Sequence, residues 1–192
     1  MERAVFLDRD GTIIQDVGYI GEISRIKFLP KVGKAIKLLN KSGFKVIVIT
    51  NQAGVARGYF TEETVKEINK YIRESLAEQG AVIDMIYYCP HHIEGTIEEY
   101  KKECYCRKPE AGMIEEAVRA FGIDLENSFV IGDKISDIEA GRRTGCKTIL
   151  LAGEEILKSG DEMTVISDHI APDLYEAVKW LLKISQEKGR YS

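Results

Sequence analysis

Short apolar runs alternate with amphipathic helical patterns along this chain, and this alternation restricts the folds that it can adopt. The run from Phe44 to Ile49 is dominated by β-branched side chains, which is typical of a strand buried on both faces. Helical patterns with regularly spaced apolar positions separate this run from similar runs elsewhere in the chain. Strands joined by helices in this way favour a parallel sheet, so the sequence predicts an α/β fold.

The same patterns give bounds for each expected element. The expected strands are Val5–Leu7, Phe44–Ile49, Val82–Tyr88, Ser128–Ile131, Lys147–Leu151 and Val165–Ser167. The expected helices are Val32–Leu39, Thr61–Gln79, Ala111–Phe121, Ser136–Thr144 and Leu174–Lys188. The segment from Cys89 to Pro109 shows no clear periodicity. Unstructured loops of about twenty residues are uncommon in compact domains and are usually functional, so we expect something to organise this segment.

Length and composition exclude several classes of protein. A chain of 192 residues has the size of one domain with a substantial core, so we expect residues 1–192 to form a single domain. A formal net charge of -4 argues against a nucleic-acid partner, which favours a basic surface. No apolar run approaches the roughly 18 residues of a membrane span, and the chain opens directly on a strand, so we expect no membrane association and a cytoplasmic location. In that reducing compartment the four cysteines are expected to be thiols or metal ligands rather than disulfides.

Two aspartates, Asp8 and Asp10, follow directly after the first predicted strand. Residues at this spacing on a strand point to the same side. Carboxylates held so close repel each other unless a divalent cation or a shared proton lies between them. One can act as a nucleophile while the other shuttles protons, which is what cleavage of a phosphate ester requires. The alternative interpretation is a helix cap or an aspartate-rich surface turn.

Polar residues also follow two later strands. Thr50 and Asn51 end the second predicted strand, where open α/β sheets bind ligands, and both can donate to phosphate oxygens, although an ordinary turn has the same sequence. Asp133 follows the strand Ser128–Ile131 and can complete an oxygen-rich Mg²⁺ site with Asp8. Asp137 either caps the next helix or lies just outside the direct ligands of such a metal.

Arg107 and Lys108 form a basic pair just ahead of a predicted helix. Arginine can pair with a substrate's negative charge through its planar guanidinium group, and lysine can do so as a point charge. A solvated basic pair without a ligand is the alternative.

Sulfur and imidazole ligands are concentrated in the irregular segment, and we call residues 89–106 the cysteine loop. The residues that can form a tetrahedral zinc set are Cys89, His91, Cys104 and Cys106. His92 is a competing ligand, and buried free thiols are the alternative interpretation. Cys146 stands apart from this loop and is predicted to be a core residue.

These motifs, taken in order, resemble those of the haloacid dehalogenase-like phosphohydrolase superfamily. The four motifs are matched by Asp8-x-Asp10-Gly11-Thr12, Thr50-Asn51, Lys108 and Gly132-Asp133-x-x-x-Asp137. The resemblance implies a three-layer sandwich with a mainly parallel, Rossmann-like sheet. The connections after the first and third strands are too short for a folded cap domain, so we expect the capless form of this fold.

A finer resemblance points to the D-glycero-D-manno-heptose 1,7-bisphosphate phosphatases. The matching segments are Asp8–Thr12, Gly18-Tyr19, Thr50-Asn51-Gln52, Ala56-Arg57-Gly58, Cys89-Pro90-His91-His92 and Cys104-x-Cys106-Arg107-Lys108-Pro109. Histidinol-phosphate phosphatases are close relatives that share the zinc loop. Ile14 and Ala53 differ from the pattern, since the heptose enzymes often carry Asn and Ser at these positions.

The resemblance implies a role for each matching residue. Asp8 is the nucleophile that becomes an aspartyl phosphate, and Asp10 is the proton donor and later the base. Mg²⁺ is held by the carboxylates of Asp8 and Asp133 and the main-chain carbonyl of Asp10, while Thr50 and Lys108 stabilise the transferring phosphoryl group. The residues expected to contact substrate are Asp16, Gly18, Tyr19, Asn51, Gln52, Ala53, Arg107 and Lys134.

The leading hypothesis is therefore a Mg²⁺-dependent phosphatase that removes the 7-phosphate of D-glycero-D-manno-heptose 1,7-bisphosphate, as a monomer acting on a small molecule. A histidinol-phosphate phosphatase is the runner-up, but the amine of that substrate would favour acidic loop residues, whereas Arg57, Arg107 and Lys134 suit a second phosphate. A non-catalytic, zinc-stabilised binding module is the third hypothesis. The zinc is expected to be structural, because four protein ligands leave no open position for water.

Overall fold

The computed structural model describes residues 1–152 and 167–188, and this part of the chain forms a parallel sheet with helices on both faces. The strands are β1 (Arg3–Leu7), β2 (Phe44–Asn51), β3 (Met85–Cys89), β4 (Phe129–Gly132), β5 (Lys147–Leu151) and β6 (His169–Ala171). The helices are α1 (Val32–Lys41), α2 (Glu62–Glu78), α3 (Gly112–Phe121), α4 (Ile135–Thr144) and α5 (Leu174–Lys188). The strand order is β3-β2-β1-β4-β5-β6, and every pair is parallel. The predicted three-layer α/β fold is confirmed.

Alternate residues of each central strand pack on opposite faces of the sheet. In β1, Val5 and Leu7 belong to the core that contains α1, α2 and α5. Ala4 and Phe6 belong to a second core, on the other face, with side chains of α3 and α4. Side chains alternate along a strand, so a sheet covered on both faces needs apolar residues at nearly every position. This requirement explains the continuous apolar runs in the sequence.

Most element boundaries lie within one or two residues of the predicted ones, but β3 does not. It begins at Met85 rather than Val82. The side chain of Asn40 binds both main-chain groups of Val82, at 2.9 Å to its nitrogen and 3.0 Å to its oxygen. The carboxylate of Asp84 accepts a hydrogen bond of 2.9 Å from the main chain of Val46. Side chains therefore occupy positions that strand pairing would otherwise fill.

The last predicted strand, Val165–Ser167, lies outside the described residues except for Ser167. In the described part, β6 begins at His169 and pairs with β5.

The predicted cap of α2 is present, because the hydroxyl of Thr61 accepts from the main-chain nitrogen of Thr64 at 3.3 Å. Among the described helices, none has the length and apolarity that a membrane span requires.

Two long connections lie at the carboxyl edge of the sheet. Residues 8–31 follow β1 and contain one short 3-10 turn, Ile23–Arg25. Residues 90–111 follow β3 and contain another, Glu98–Tyr100. Neither connection holds a folded cap domain, as predicted. The loops themselves must therefore form the walls of any site at this edge.

Candidate active site

Three carboxylates converge where β1 and β4 end side by side. The main-chain nitrogen of Asp8 donates to the carbonyl of Ile131 at 3.0 Å, which continues the pairing of the two strands. Asp8, Asp133 and Asp137 each place an oxygen within 4.8 Å of the others. We call these three residues the carboxylate floor. The structure thus brings together Asp8 and Asp133, as the sequence predicts, and adds Asp137 to them.

Lys108 is buried against this floor. Its ammonium nitrogen lies 2.7 Å from Oδ1 of Asp8 and 2.6 Å from Oδ1 of Asp137, and it donates to the carbonyl of Ile49 at 2.7 Å. Burial alone would lower the pKa of Lys108, but the charges of Asp137 and Asp8 raise it above the ordinary value. Lys108 therefore stays a cation beside the proposed nucleophile.

The floor carries more negative charge than Lys108 can balance. Burial, with the charge of Asp8, raises the pKa of Asp133 to about 7. Burial also raises the pKa of Asp137 to about 6, although Lys108 opposes that shift. Oδ1 of Asp133 is buried and has no hydrogen-bond partner within the described residues. An added cation would relieve both the repulsion and the unpaired oxygen, and oxygen donors of this kind suit Mg²⁺.

Two glycines allow the chain to approach the floor closely. Gly11 has a φ of +92°, and a β-carbon there would collide with the carboxylate of Asp133. A β-carbon at Gly132 would collide with the carboxylate of Asp137. The motif glycines are needed because only a residue without a side chain fits these positions.

The carboxylate of Asp10 is held by neighbouring side chains. Its Oδ2 accepts from Nε of Arg9 at 3.1 Å and from Nε2 of Gln52 at 2.9 Å, and Oγ1 of Thr50 lies 3.4 Å from it. Gln52 also donates to Oγ1 of Thr50 at 2.8 Å. Gln52 is predicted to contact substrate, and its amide nitrogen also forms hydrogen bonds with Asp10 and Thr50. Arg9 carries no signal in the sequence beyond its place between the two aspartates.

A cavity of about 470 Å³ opens above Asp10 and Lys108. Every residue predicted to contact substrate lines it: Asp16, Gly18, Tyr19, Asn51, Gln52, Ala53, Arg107 and Lys134. Ser136 also lines the cavity. Sequence reasoning passed over Ser136 because a serine at a helix start is an ordinary feature.

The loop on one side of this cavity is fixed by an ion pair. Oδ2 of Asp16 lies 2.8 Å from the ammonium of Lys134, and its Oδ1 accepts from the main chain of Gly18 at 3.0 Å. Partial burial disfavours ionisation of Asp16, but Lys134 and Gly18 together lower its pKa. The ring of Tyr19 packs edge-on against Tyr59 with centroids 4.7 Å apart. These contacts give the loop a defined shape without a cap domain above it.

Asn51 connects β2 to the segment that carries Lys108. Its amide nitrogen donates to the main-chain oxygen of Lys108 at 2.9 Å, and its Oδ1 accepts from the nitrogen of Lys108 at 3.0 Å. The sequence places Asn51 at the site but cannot give this partner, which lies far along the chain. Asn51 therefore fixes the position of Lys108 as well as lining the cavity.

The cysteine loop folds so that its four predicted ligands meet. The sulfur of Cys106 lies 3.1 Å from that of Cys89, 3.3 Å from that of Cys104 and 3.3 Å from Nδ1 of His91. Contact with the Cys89 thiol lowers the pKa of Cys106 to about 5, whereas the pKa of Cys89 is raised by the same contact and by burial. In a tetrahedral site with metal–sulfur bonds of about 2.3 Å, the sulfurs lie about 3.8 Å apart. The three sulfurs, 3.1–3.4 Å apart, would have to separate by a few tenths of an ångström around such an ion. The donor set, with its four ligand atoms gathered within 4.8 Å of one another, suits a bound tetrahedral metal ion.

The cysteine loop is joined to the active site through Arg107. Its guanidinium donates to the carbonyl of His91 at 3.2 Å, and the residue also lines the 470 Å³ cavity. Arg107 and Lys108 border a second cavity of about 640 Å³ on the loop's outer side, with Tyr105. The described lining of that cavity contains none of the floor carboxylates, but Arg107 and Lys108 line both cavities. Cys146 is a buried core residue, as predicted, and belongs to the same apolar cluster as Cys89.

Comparison with known proteins gives one family model that matches part of the chain and curated relatives that match nearly all of it. A family model described as HAD-hydrolase-like matches residues 105–177. A curated D-glycero-beta-D-manno-heptose-1,7-bisphosphate 7-phosphatase from Photorhabdus laumondii is 41% identical over 182 residues, which are 94% of this chain and 97% of the relative. The protein of the same name from Haemophilus influenzae is 38% identical over 188 residues, covering 97% of this chain and 100% of the relative.

A solved structure agrees with these relatives. It is the D,D-heptose 1,7-bisphosphate phosphatase from B. bronchiseptica, complexed with magnesium and phosphate. Its TM-score is 0.81 at 30% sequence identity, and the match covers 95% of this chain and 99% of that chain.

Proposed function

This chain belongs to the family of D-glycero-beta-D-manno-heptose-1,7-bisphosphate 7-phosphatases within the HAD-like hydrolases, and we propose that it releases the 7-phosphate of that bisphosphate to leave heptose 1-phosphate. It is a phosphoric monoester hydrolase, so the hypothesis of a non-catalytic module is set aside. The curated relatives are named for the β anomer, and we expect the same preference here.

The observation that carries this proposal is the pairing of Asp8 with buried Lys108, 2.7 Å apart, below a cavity that Asp10 lines. A carboxylate nucleophile, a fixed cation and a second carboxylate are the groups that transfer of a phosphoryl group requires. Phosphate monoester hydrolysis has one of the largest uncatalysed barriers, so positioning and charge must supply most of the acceleration.

The reaction proceeds in two displacements. Asp8 attacks phosphorus and forms an aspartyl phosphate, while the bond to the sugar oxygen breaks and Asp10 donates a proton to that oxygen. Asp10 then removes a proton from water, which attacks phosphorus, releases inorganic phosphate and restores the Asp8 carboxylate. Lys108 and Thr50 stabilise the charge on the transferring group throughout.

Two metal ions fit the side chains present. Mg²⁺ would be held by Asp8, Asp133 and the carbonyl of Asp10, where it neutralises phosphoryl charge when bound. The B. bronchiseptica protein was solved with magnesium and phosphate, which supports this assignment. Zn²⁺ would be held by the three sulfurs and the imidazole of the cysteine loop, and a closed set of four ligands is the structural pattern.

The distal phosphate has cationic partners in the cavity. Arg107 and Lys134 both line it, and they suit the anomeric phosphate of a bisphosphate. The amine of histidinol phosphate would need an unpaired carboxylate instead. Asp16, which lines the same cavity, is already paired with Lys134 at 2.8 Å. Lys134 is engaged in the same pair, so the preference for the bisphosphate over the amine rests chiefly on Arg107.

We also propose that residues 1–192 act as one domain, with the zinc loop at 89–106, and as a cytoplasmic monomer. One sheet whose strands run from residue 3 to residue 171 supports a single domain. Light scattering on the eluting size-exclusion peak should give the mass of one chain, and a dimer mass would contradict this.

Phosphate release from a panel of substrates tests the proposed function. The panel contains both anomers of D-glycero-D-manno-heptose 1,7-bisphosphate, heptose 7-phosphate without the anomeric phosphate, and histidinol phosphate. We expect the highest kcat/KM on the β-bisphosphate and a large loss when the anomeric phosphate is absent. A higher kcat/KM on histidinol phosphate would contradict the proposal.

A further inference from the structure

Arg9 is among the largest side chains that the core buries completely, with 1% of its surface exposed. A buried guanidinium requires partners for its donors, and its fixed planar shape makes those partners define its position. Two of its nitrogens face the carboxylate of Asp10, at 3.1 Å and 3.2 Å. Its third, Nη1, donates to Oδ1 of Asn69 at 3.0 Å.

Asn69 connects Arg9 to helix α2 through this hydrogen bond. It lies on α2 and is 7% exposed, between Ile68 and Ile72, which pack in the main core. Asn69 is far from the reactive groups in sequence and is absent from the described lining of the active-site cavity. Asn69 can therefore affect the active site through its hydrogen bond with Arg9.

The two oxygens of Asp10 have different surroundings. Three residues place donors within 3.4 Å of Oδ2: Arg9, through Nε at 3.1 Å and Nη2 at 3.0 Å, Gln52 and Thr50. Oδ1 has one, Nη2 of Arg9 at 3.2 Å, among the described residues. Oδ2 is thus held in place, and Oδ1, on a residue that lines the cavity, keeps the capacity to carry a proton. The side chain of Arg9 fixes this orientation because it touches both oxygens.

We propose that Asn69 is a positioning residue for proton transfer, acting through Arg9 to hold the Asp10 carboxylate with Oδ1 directed at the leaving oxygen. This inference rests on the proposed function, in which Asp10 protonates that oxygen. A positioned acid contributes about 10²- to 10⁴-fold to rate, and loss of its orientation removes part of that factor. A purely structural asparagine would affect stability and leave the acid in place.

The test compares two leaving groups, because only one of them needs an acid. The alkyl oxygen of a sugar phosphate must be protonated as it leaves, whereas p-nitrophenolate leaves well without a proton. We expect Asn69→Leu, which removes the acceptor of Arg9, to lower kcat/KM on the heptose bisphosphate roughly tenfold more than on p-nitrophenyl phosphate. Asn69→Asp keeps an oxygen acceptor and should restore the wild-type ratio of the two values.

Ile72→Val is the matched control, since it shortens a core side chain of α2 and keeps the hydrogen bond between Arg9 and Asn69. It should lower thermal stability and leave the ratio of the two kcat/KM values unchanged. Asn69→Ser serves beside Asn69→Leu, because it is too short to reach Arg9 and leaves room for water. An unchanged ratio in the folded Leu or Ser variant overturns the proposal, and so does failure of both variants to fold, which would assign Asn69 to stability alone.

Asp10→Asn separates this inference from the proposed function. If Asp10 is the acid, Asp10→Asn must lower kcat/KM on the heptose bisphosphate much more than on p-nitrophenyl phosphate, whatever the Asn69 variants do. A shift in Asp10→Asn without one in Asn69→Leu or Asn69→Ser overturns the role of Asn69 only. No shift in Asp10→Asn overturns the proposed mechanism itself.

Discussion

At the scale of single residues, the structure explains why Lys108 has to be a buried cation. Its ammonium is shared between Asp8 and Asp137, and the three groups are almost completely excluded from water. Pairing offsets the cost of burying these charges only while all the partners are present. Lys108 thus stabilises the fold through these contacts, and the proposed mechanism also uses its charge at the transferring phosphoryl group.

Lys108→Met should abolish phosphate release and lower the free energy of unfolding by about 3–5 kcal/mol, because it leaves buried carboxylates without a partner. Urea denaturation at neutral pH measures the change in stability. The double variant with Asp137→Asn removes one of the stranded charges, so it should recover part of the stability and none of the activity. Equal stability of the single and double variants would show that Asp137 is not paired with Lys108 in solution.

Gly11→Ala should weaken the response to Mg²⁺, because the new β-carbon collides with the carboxylate of Asp133. We expect phosphate release to need a higher magnesium concentration for half-maximal rate. Gly43→Ala is the matched control: Gly43 also has a positive φ, of +76°, but no atom lies near its added β-carbon. Both variants carry backbone strain, so a shift in magnesium response common to both would count against the collision with Asp133.

At the scale of elements, sequence patterns predict the ends of strands well, and the site lies at those ends. Asp8 and Asp133 follow β1 and β4 directly, and Thr50 lies one residue before the end of β2. Parallel strands bring their carboxyl ends to one edge. The start of β3 was less predictable, because Asn40 and Asp84 bind main-chain groups through their side chains. Such contacts depend on tertiary neighbours that local patterns do not contain.

The inner contacts of the site were also beyond sequence reasoning. Asn51 and Gln52 line the cavity, and their amides also bind Lys108 and Asp10, which motif spacing does not predict. The contact of Arg9 with Asn69 joins residues from β1's loop and from α2. Motif spacing identifies which residues gather at a site, whereas the direction of each amide depends on neighbours brought in by the fold.

Cys106→Ser should lose zinc, loosen the cysteine loop and lower turnover or raise KM, while magnesium still binds at the carboxylate floor. Metal closes a loop whose own composition offers little to offset its conformational entropy, and Arg107 follows Cys106 directly. Elemental analysis and phosphatase kinetics measure both effects. Cys146→Ser, at a buried cysteine outside the loop, should keep its zinc. Wild-type protein without near-stoichiometric zinc, or a zinc-free variant with unchanged kinetics, would contradict this prediction.

At the scale of the whole molecule, loops replace a cap domain. The connections after β1 and β3 contain only short 3-10 turns, yet they line the cavity on two sides. The chain as a whole carries a net charge of -4, whereas its cavity is lined by the cations Arg107, Lys108 and Lys134 and by the carboxylates Asp10 and Asp16. A local cationic surface in an acidic protein suits a small anionic substrate. The carboxyl edge of the sheet thus positions the reactive carboxylates, and the loops form the surface that selects the substrate.

The central claim is that Asp8 carries the phosphoryl group between the sugar and water. Rapid quenching of the enzyme with heptose bisphosphate labelled in its 7-phosphate tests it directly. Wild-type protein should show label on the peptide that contains Asp8. Asp8→Asn should show neither label nor phosphate release while keeping its fold, because an amide of the same shape is a very poor nucleophile. Phosphate release above a few per cent of wild type in the folded variant would contradict the account.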